Sequence, residues 1–361
     1  MAETARELWV NRSDFRKTRA VEREMEPLSE GEVRMRVERF ALTSNNVTYA
    51  VAGDTIGYWK FFPREDDWGV VPVWGIGVVE ESRAEGIEAG ERIYGYFPMA
   101  DQCVMEVGRV KPGSFTEVSD GRSLLPPLYN NYRRLKAEPP GFEDERCLYF
   151  PLFITSFAIY DYLVDNTMFG AEQVVIGSVS SKTGLGVAKL LANDPDVGIE
   201  VIGLTSPGNV EFVESLKACD RVLAYGQENH IPQRPTAYID MSGNAELGRT
   251  LHHQFGDNLA LSSRVGATHW EDAALGGGGH GDLPGAKPEM FFAPSQILKR
   301  EADWGAGQFV ARASEASLTL ARELDGLITV ERVEGAEALA GLWRDFLDNK
   351  VSPKRGVMVS L

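Results

Sequence analysis

The stretch Val174-Val-Ile-Gly-Ser-Val-Ser-Ser-Lys-Thr-Gly-Leu-Gly-Val-Ala188 runs from a short apolar segment into a helical repeat through a turn of small residues. The N–H groups that open a helix have no partner within it, and the helix dipole is positive there. A turn of this kind therefore accepts a pyrophosphate wherever side chains leave room. Gly177, Ser178, Ser180, Ser181 and Gly184 leave that room, and Lys182 and Thr183 add a cation and a hydroxyl. As a dinucleotide fingerprint the turn is irregular: serines replace the central glycine of Gly-x-Gly-x-x-Gly, and Lys182 stands where a neutral residue is commoner. The competing reading is an ordinary strand-to-helix turn. The alternation of strands and helices around it favours the nucleotide.

The next apolar strand ends Gly203-Leu-Thr-Ser-Pro-Gly-Asn209. A site selective for NAD places Asp or Glu about twenty residues beyond the turn, against the ribose 2′-hydroxyl. No acid stands here. Thr205 and Ser206 offer hydroxyl donors, and Lys182 can meet a 2′-phosphate as a point charge. This pattern points to NADP(H); the alternative is that Lys182 and Ser206 simply face solvent.

Other chemistry finds less support. Cys103, Cys147 and Cys219 are far apart, with no Cys-x-x-Cys and no Cys/His cluster at metal spacing, so no metal site is expected. Adjacent His252 and His253 cannot face one metal from one side of a helix and read as a surface pair. Gly276-Gly-Gly-Gly-His-Gly281 is followed by Asp282 and Pro284 and reads as a mobile loop. No Gly-x-Ser-x-Gly elbow is present; Asp240-Met-Ser-Gly243 reads as a strand end lining a cofactor groove.

The elements that must hold these residues follow from pattern. The 361 residues, 43% hydrophobic and 25% charged, suffice for two domains. A net charge of -16 argues against nucleic acid or an anionic membrane as partner. Three scattered cysteines suit a reducing cytoplasm. Met1–Phe15 lacks the apolar core of a signal peptide, and Leu148–Tyr160, which contains Pro151, is too short to span a bilayer. Before about residue 145 the chain alternates apolar and polar residues, as in Glu32–Glu38, Val70–Val79 and Gly90–Phe97, which predicts a β-rich unit. The Pro-rich segment Arg122–Glu145 reads as a long connection. Beyond it, strand and helix alternate: Gln173–Gly177, then Thr183–Asn193 with Gly184, Val187, Ala188 and Leu191 on one face, Ile199–Leu204, Val210–Ala218 and Ala237–Asp240. Alternation of this kind predicts a parallel sheet wrapped by helices. An amphipathic stripe, Leu339 to Leu347, and a last strand, Gly356–Leu361, return to the β-rich unit.

Taken together, Gly31–Val37, Ala41–Asn46, Trp74–Val79, Gly90–Gly95, Pro151–Tyr160, the Gly177–Gly186 turn, Ile239–Gly243, Arg264–Gly266 and the closing strand resemble the medium-chain dehydrogenase/reductase superfamily. Thr43–Ala50, Gly57-Tyr-Trp59, Gly177–Gly184 and Phe291–Gln296 are similar to a bacterial and fungal branch known only as a domain of unknown function. The resemblance implies an α/β fold: a GroES-like substrate domain over 1–145, completed by 328–361, and a Rossmann-type doubly wound parallel-sheet domain over 146–327. Zinc-dependent relatives carry Gly-His-Glu where this chain reads Trp74-Gly75-Ile76, and their run of four cysteines is missing, so the resemblance is to the zinc-independent quinone and enoyl reductases. It implies hydride transfer between NADP(H) and a small carbonyl, enone or acyl-thioester, with protein donors for the developing enolate. Asn46 takes the place of the polar residue beside nicotinamide. Tyr49, then Tyr58, are the candidate donors, among a set that includes Asn45, Tyr129 and Tyr132. A tyrosine with its ring in the core would look the same. Thr155 and Ser156 either meet the carboxamide or cap the helix that follows, and Ser242 and Gly266 complete the cofactor groove. The resemblance also implies a homodimer. Two alternatives stand against the reductase: a nucleotide-binding sensor or scaffold without turnover, and a non-redox acid-base enzyme that uses the same cleft with a structural cofactor.

Overall fold

A computed structural model describes residues 4–122, 125–137, 142–265 and 283–361. Its strands, in chain order, are β1 (Thr4–Asn11), β2 (Thr18–Glu24), β3 (Glu32–Leu42), β4 (Trp68–Gly69), β5 (Pro72–Ser82), β6 (Arg92–Pro98), β7 (Gln102–Lys111), β8 (Ser114–Glu117) and β9 (Asn131–Arg134). Then follow β10 (Gln173–Gly177), β11 (Glu200–Thr205), β12 (Arg221–Ala224), β13 (Thr236–Asp240), β14 (Leu259–Arg264) and β15 (Pro288–Met290). The last two are β16 (Thr329–Glu334) and β17 (Arg355–Ser360). The chain divides into two compact units: residues 1–148 with 329–361, and residues 149–328.

In the first unit, neighbouring strands run β16-β17-β3-β5-β6-β9-β8-β7, and β7 also pairs with β3. That last pairing closes β3, β5, β6, β9, β8 and β7 into a barrel, which removes the exposed edges of an open sheet. β3 forms as its alternation demands, with Val33, Met35 and Val37 buried. The closing strand β17 finds its partner in β3, antiparallel, with Val357 opposite Leu42 and Val359 opposite Phe40.

The Arg122–Glu145 segment differs from expectation. It holds β9, which pairs with β6 and β8 and so completes the barrel wall. The prolines on either side hide it in the sequence. Tyr132, fully buried and stacked on Phe115 at 5.4 Å between centroids, is what fastens it. The apolar run after it also differs. Helix Glu143–Asp165 runs straight through Pro151 and is long and apolar enough, by length and composition, to cross a membrane. Most of its apolar window is buried inside the chain, as in a core helix.

The second unit is a six-stranded sheet in the order β12-β11-β10-β13-β14-β15, with every neighbouring pair parallel. The order starts in the middle at β10, steps out to β12, and restarts on the other side at β13. This is the doubly wound order, and it opens a crevice beyond the carboxyl ends of β10 and β13. Strands buried on both faces explain the near-continuous apolar runs: Val174, Val175 and Ile176 of β10 are all fully enclosed.

Candidate functional site

β10 ends at Gly177, which lies in register with Leu204 of β11 and Asp240 of β13. Ser178 follows with φ 55°, a left-handed conformation that turns the chain back at once. Val179 N–H donates to Leu204 O at 3.0 Å and Ser181 N–H to Ser178 O at 2.9 Å, so the turn is pinned to β11 and to itself. Ser181 then caps helix Lys182–Asn193: its hydroxyl accepts from Gly184 N–H at 3.1 Å. A Cβ on Gly184 would stand 3.0 Å from both Ser178 O and Val179 Cα, so any larger residue would press the helix start a few tenths of an ångström away from the turn. The predicted apolar face of that helix, Gly184, Val187, Ala188 and Leu191, is buried.

The hydroxyls sort themselves by burial. Thr205, 1% exposed, donates to Ser180 Oγ at 2.9 Å. Ser206 is half-buried, and Asn209 donates its amide to Ser206 Oγ at 2.9 Å and to Ser180 Oγ at 3.4 Å. The structure thus brings Ser180, Thr205 and Ser206 together. Thr205 serves the turn rather than the groove. Burial pulls the Lys182 ammonium down to about 8.

Across the crevice, Asp240 is buried at the end of β13, and its Oδ1 accepts from Ser242 Oγ at 2.6 Å, Ser242 N–H at 2.8 Å and Gly243 N–H at 3.1 Å. Burial raises its pKa in spite of these bonds. Ser242 is fully buried and holds this carboxylate. Tyr238 sends its hydroxyl to the same place, 3.0 Å from where a Cβ on Gly177 would lie. Among the described residues that hydroxyl makes no hydrogen bond of full geometry; burial, and then the Asp240 carboxylate beside it, raise its pKa.

Ser156 and Thr155 lie inside helix Glu143–Asp165, not before a helix, so neither is a cap. Ser156 Oγ lies 3.0 Å from Leu152 O and 2.9 Å from Thr183 O, which share its one proton and link two helices, while half-buried Thr155 reaches back to Pro151 O at 3.3 Å. His252 is 1% exposed, with ring nitrogens 2.9 Å from Pro284 O and from Ser262 Oγ; only His253 is on the surface. Gly266 and the Gly276–Gly281 run lie outside the described residues. Among the described residues, no three His, Cys, Asp or Glu side chains converge as metal ligands would.

The first unit gathers the predicted aromatic donors. Helix Ser44–Val51 opens with a capping box in which Asn46 accepts from Thr43 N–H at 2.8 Å, and the Asn46 amide donates to Pro72 O at 3.0 Å. Both ends of its side chain are engaged. Tyr49 and Tyr58, 5% and 7% exposed, lie 4.6 Å apart between ring centroids. Trp74 N–H donates to the Tyr49 hydroxyl at 3.2 Å, and the Tyr58 and Tyr129 hydroxyls meet at 2.9 Å. Burial raises all three tyrosine pKa values, so each hydroxyl keeps its proton. Tyr132 stands apart, bonded by Arg122 and to Tyr96 O in the barrel core.

The model of the family described as "Protein of unknown function (DUF2855)" matches residues 40–352. The chain belongs to that family. No curated protein sequence matches this DUF2855 chain. Solved structures show its fold. CurA from Vibrio vulnificus superposes with a TM-score of 0.61 at 14% identity, covering 99% of each chain. The yhdH oxidoreductase from Salmonella enterica, solved in complex with NADP, gives 0.54 at 16% identity, again covering 99% of each. The quinone oxidoreductase from Coxiella burnetii gives 0.54 at 14%, covering 99% of this chain and 100% of that one. The fold is therefore that of the medium-chain dehydrogenases/reductases, GroES-like and Rossmann-type domains together.

In the sequence of this DUF2855 chain Asp240 stood out only as part of the strand end Asp240–Gly243, and Asn209 not as a site residue at all. Asp240 could have been found as the acid that ends an apolar strand in register with the turn. Asn209 closes the Ser-Pro-Gly-Asn turn, and only the fold shows that its amide reaches back to Ser180.

Proposed function

We propose that the chain is an NADP(H)-dependent oxidoreductase that moves a hydride to or from a small carbonyl, enone or acyl-thioester compound. One observation carries the reading: a small-residue turn and capped helix N-terminus stand at the switch point of a sheet in doubly wound order. The donor set fits the cofactor. A cation at Lys182 and hydroxyls at Ser180 and Ser206 suit a phosphorylated nucleotide, and the stretch Thr205–Asn209 holds no acid to repel one. The reported complexes of yhdH with NADP and of CurA with NADPH add weight.

When bound, NADP(H) supplies or takes the hydride. The Gly177–Gly184 turn holds the pyrophosphate, and Lys182 and Ser206 meet the 2′-phosphate. Tyr49, whose oxygen lone pair is taken by the Trp74 N–H, has its own proton to offer a substrate oxygen, and the Tyr58–Tyr129 pair offers another. The reading is zinc-independent, with Trp74-Gly75-Ile76 in place of metal ligands. It includes a cytoplasmic setting, suited to the free thiols Cys103, Cys147 and Cys219, and a homodimer through the edge strand β15. Met290, Phe292 and Leu298 are exposed around that strand.

Fluorescence titration of the purified protein with NADPH and NADH tests the reading. The expected result is NADPH binding at least tenfold tighter, roughly the worth of one charge-assisted hydrogen bond. Binding of neither nucleotide would sink it. A second reading, a nucleotide-binding sensor without turnover, draws on the engaged side chain of Asn46 and the burial of Tyr49 and Tyr58. It is favoured if NADPH binds but no enone, quinone or ketone consumes it.

A further inference from the structure

The corner between the ends of β10 and β11 holds a hydrogen-bond network whose direction is fixed by one side chain. A carboxamide nitrogen only donates. Asn209 gives one N–H to Ser206 Oγ at 2.9 Å and one to Ser180 Oγ at 3.4 Å. Ser180 Oγ also accepts from Thr205 Oγ1 at 2.9 Å, so both of its lone pairs are taken. Ser180 is more than nine-tenths buried, yet no acceptor for its own proton is found among the described residues. The half-buried Ser206 hydroxyl accepts the other Asn209 N–H, which takes one of its two lone pairs and leaves its proton free to point away from Asn209. Ser180 is thereby obliged to act as a donor, and Ser206, with one lone pair occupied, is turned toward donating.

From this we propose that Asn209 is a positioning residue that makes the corner selective for phosphate. The proposal rests on the nucleotide reading above. A ribose 2′-hydroxyl both donates and accepts and would be satisfied by hydroxyls of either polarity. A phosphate oxygen only accepts, and it gains most where neighbouring hydroxyls cannot turn their lone pairs toward it. Asn209 acts through Ser180 and Ser206 and touches neither the reacting carbon nor the nicotinamide in this scheme.

The test is a mutant cycle read as the ratio of NADPH to NADH dissociation constants, with thermal unfolding as the check on folding. Asn209→Ala frees both hydroxyls to rotate. The expected loss is roughly tenfold for NADPH, with NADH affinity unchanged and the unfolding midpoint close to that of the parent. In a Ser180→Ala/Ser206→Ala background, Asn209→Ala is expected to leave the ratio where it is, because there is no hydroxyl left to orient. An equal loss in both backgrounds would overturn the proposal, since Asn209 would then act directly or through the fold. So would an unchanged ratio in the single variant. Failure of the parent protein to bind either nucleotide is a different result, and it removes the nucleotide reading itself.

Discussion

Lys182 opens the helix behind the turn, and desolvation holds its ammonium at about 8, well below the usual lysine range. A cation needed for phosphate binding is then only partly present under mildly alkaline conditions. Phosphate raises the pKa of a nearby ammonium, so binding takes up a proton above pH 8. The sign follows: NADPH affinity is at its full value below about 8 and falls as pH rises through it. The 2′-phosphate itself titrates near about 6 and does not confuse the window. Titrations from pH 7 to 9.5 should show this fall, and Lys182→Met should bind roughly tenfold more weakly at pH 7 with a flat profile. A parent profile as flat as the variant's would remove Lys182 from the site. At this scale the sequence showed which chemistry was available, but not its direction. Ser180, Thr205 and Ser206 could be named as hydroxyls in a row, whereas the Asn209 amide that orients two of them belongs to a turn across a strand gap. Residue types are local, and hydrogen-bond polarity is not.

Elements with a clean period were legible. Helix Lys182–Asn193 and strands β3, β10, β11 and β13 follow from patterns of apolar residues, because one buried face or two buried faces leave a mark on every residue. Elements held by a few distant contacts were not. β9 contributes only four residues among prolines, and its place is decided by Tyr132 lying between Phe97 and Phe115. Helix Glu143–Asp165 was obscured by Pro151, whose missing N–H normally ends a helix; burial of the surrounding face outweighs that loss. If Tyr132 is the fastening of the barrel wall, Tyr132→Ala should cost about 3 to 5 kcal/mol, as for other large buried aromatics. Urea unfolding would read this as an early transition of the first unit, with NADPH binding by the second unit as an independent signal. A change under about 1 kcal/mol would mean that β9 is held by its backbone pairing alone.

For the molecule as a whole, the strand order of the second unit ends at β15, which among the described residues pairs only with β14. Exposed Met290, Phe292 and Leu298 surround that edge. Light scattering should therefore give twice the mass of one chain, and a Met290→Lys/Leu298→Lys double variant should shift it toward the monomer. A monomeric parent protein would show that the edge is left open. The change from alternating strands to strand–helix alternation was visible along the sequence, because that change is one of period. The division into two units has a further consequence for how the chain is made. The second unit is one continuous stretch, 149–328, while the first is interrupted by it and waits for β17 to lie beside β3. During synthesis the continuous unit is complete before the barrel sheet receives its final strands. The slowest contacts to form are those that join the two ends of the chain. Until Val359 meets Phe40, the Phe40–Leu42 end of β3, beyond its pairing with β7, stays open to any passing strand, so the nascent first unit is the part of this protein most in need of protection from misassembly.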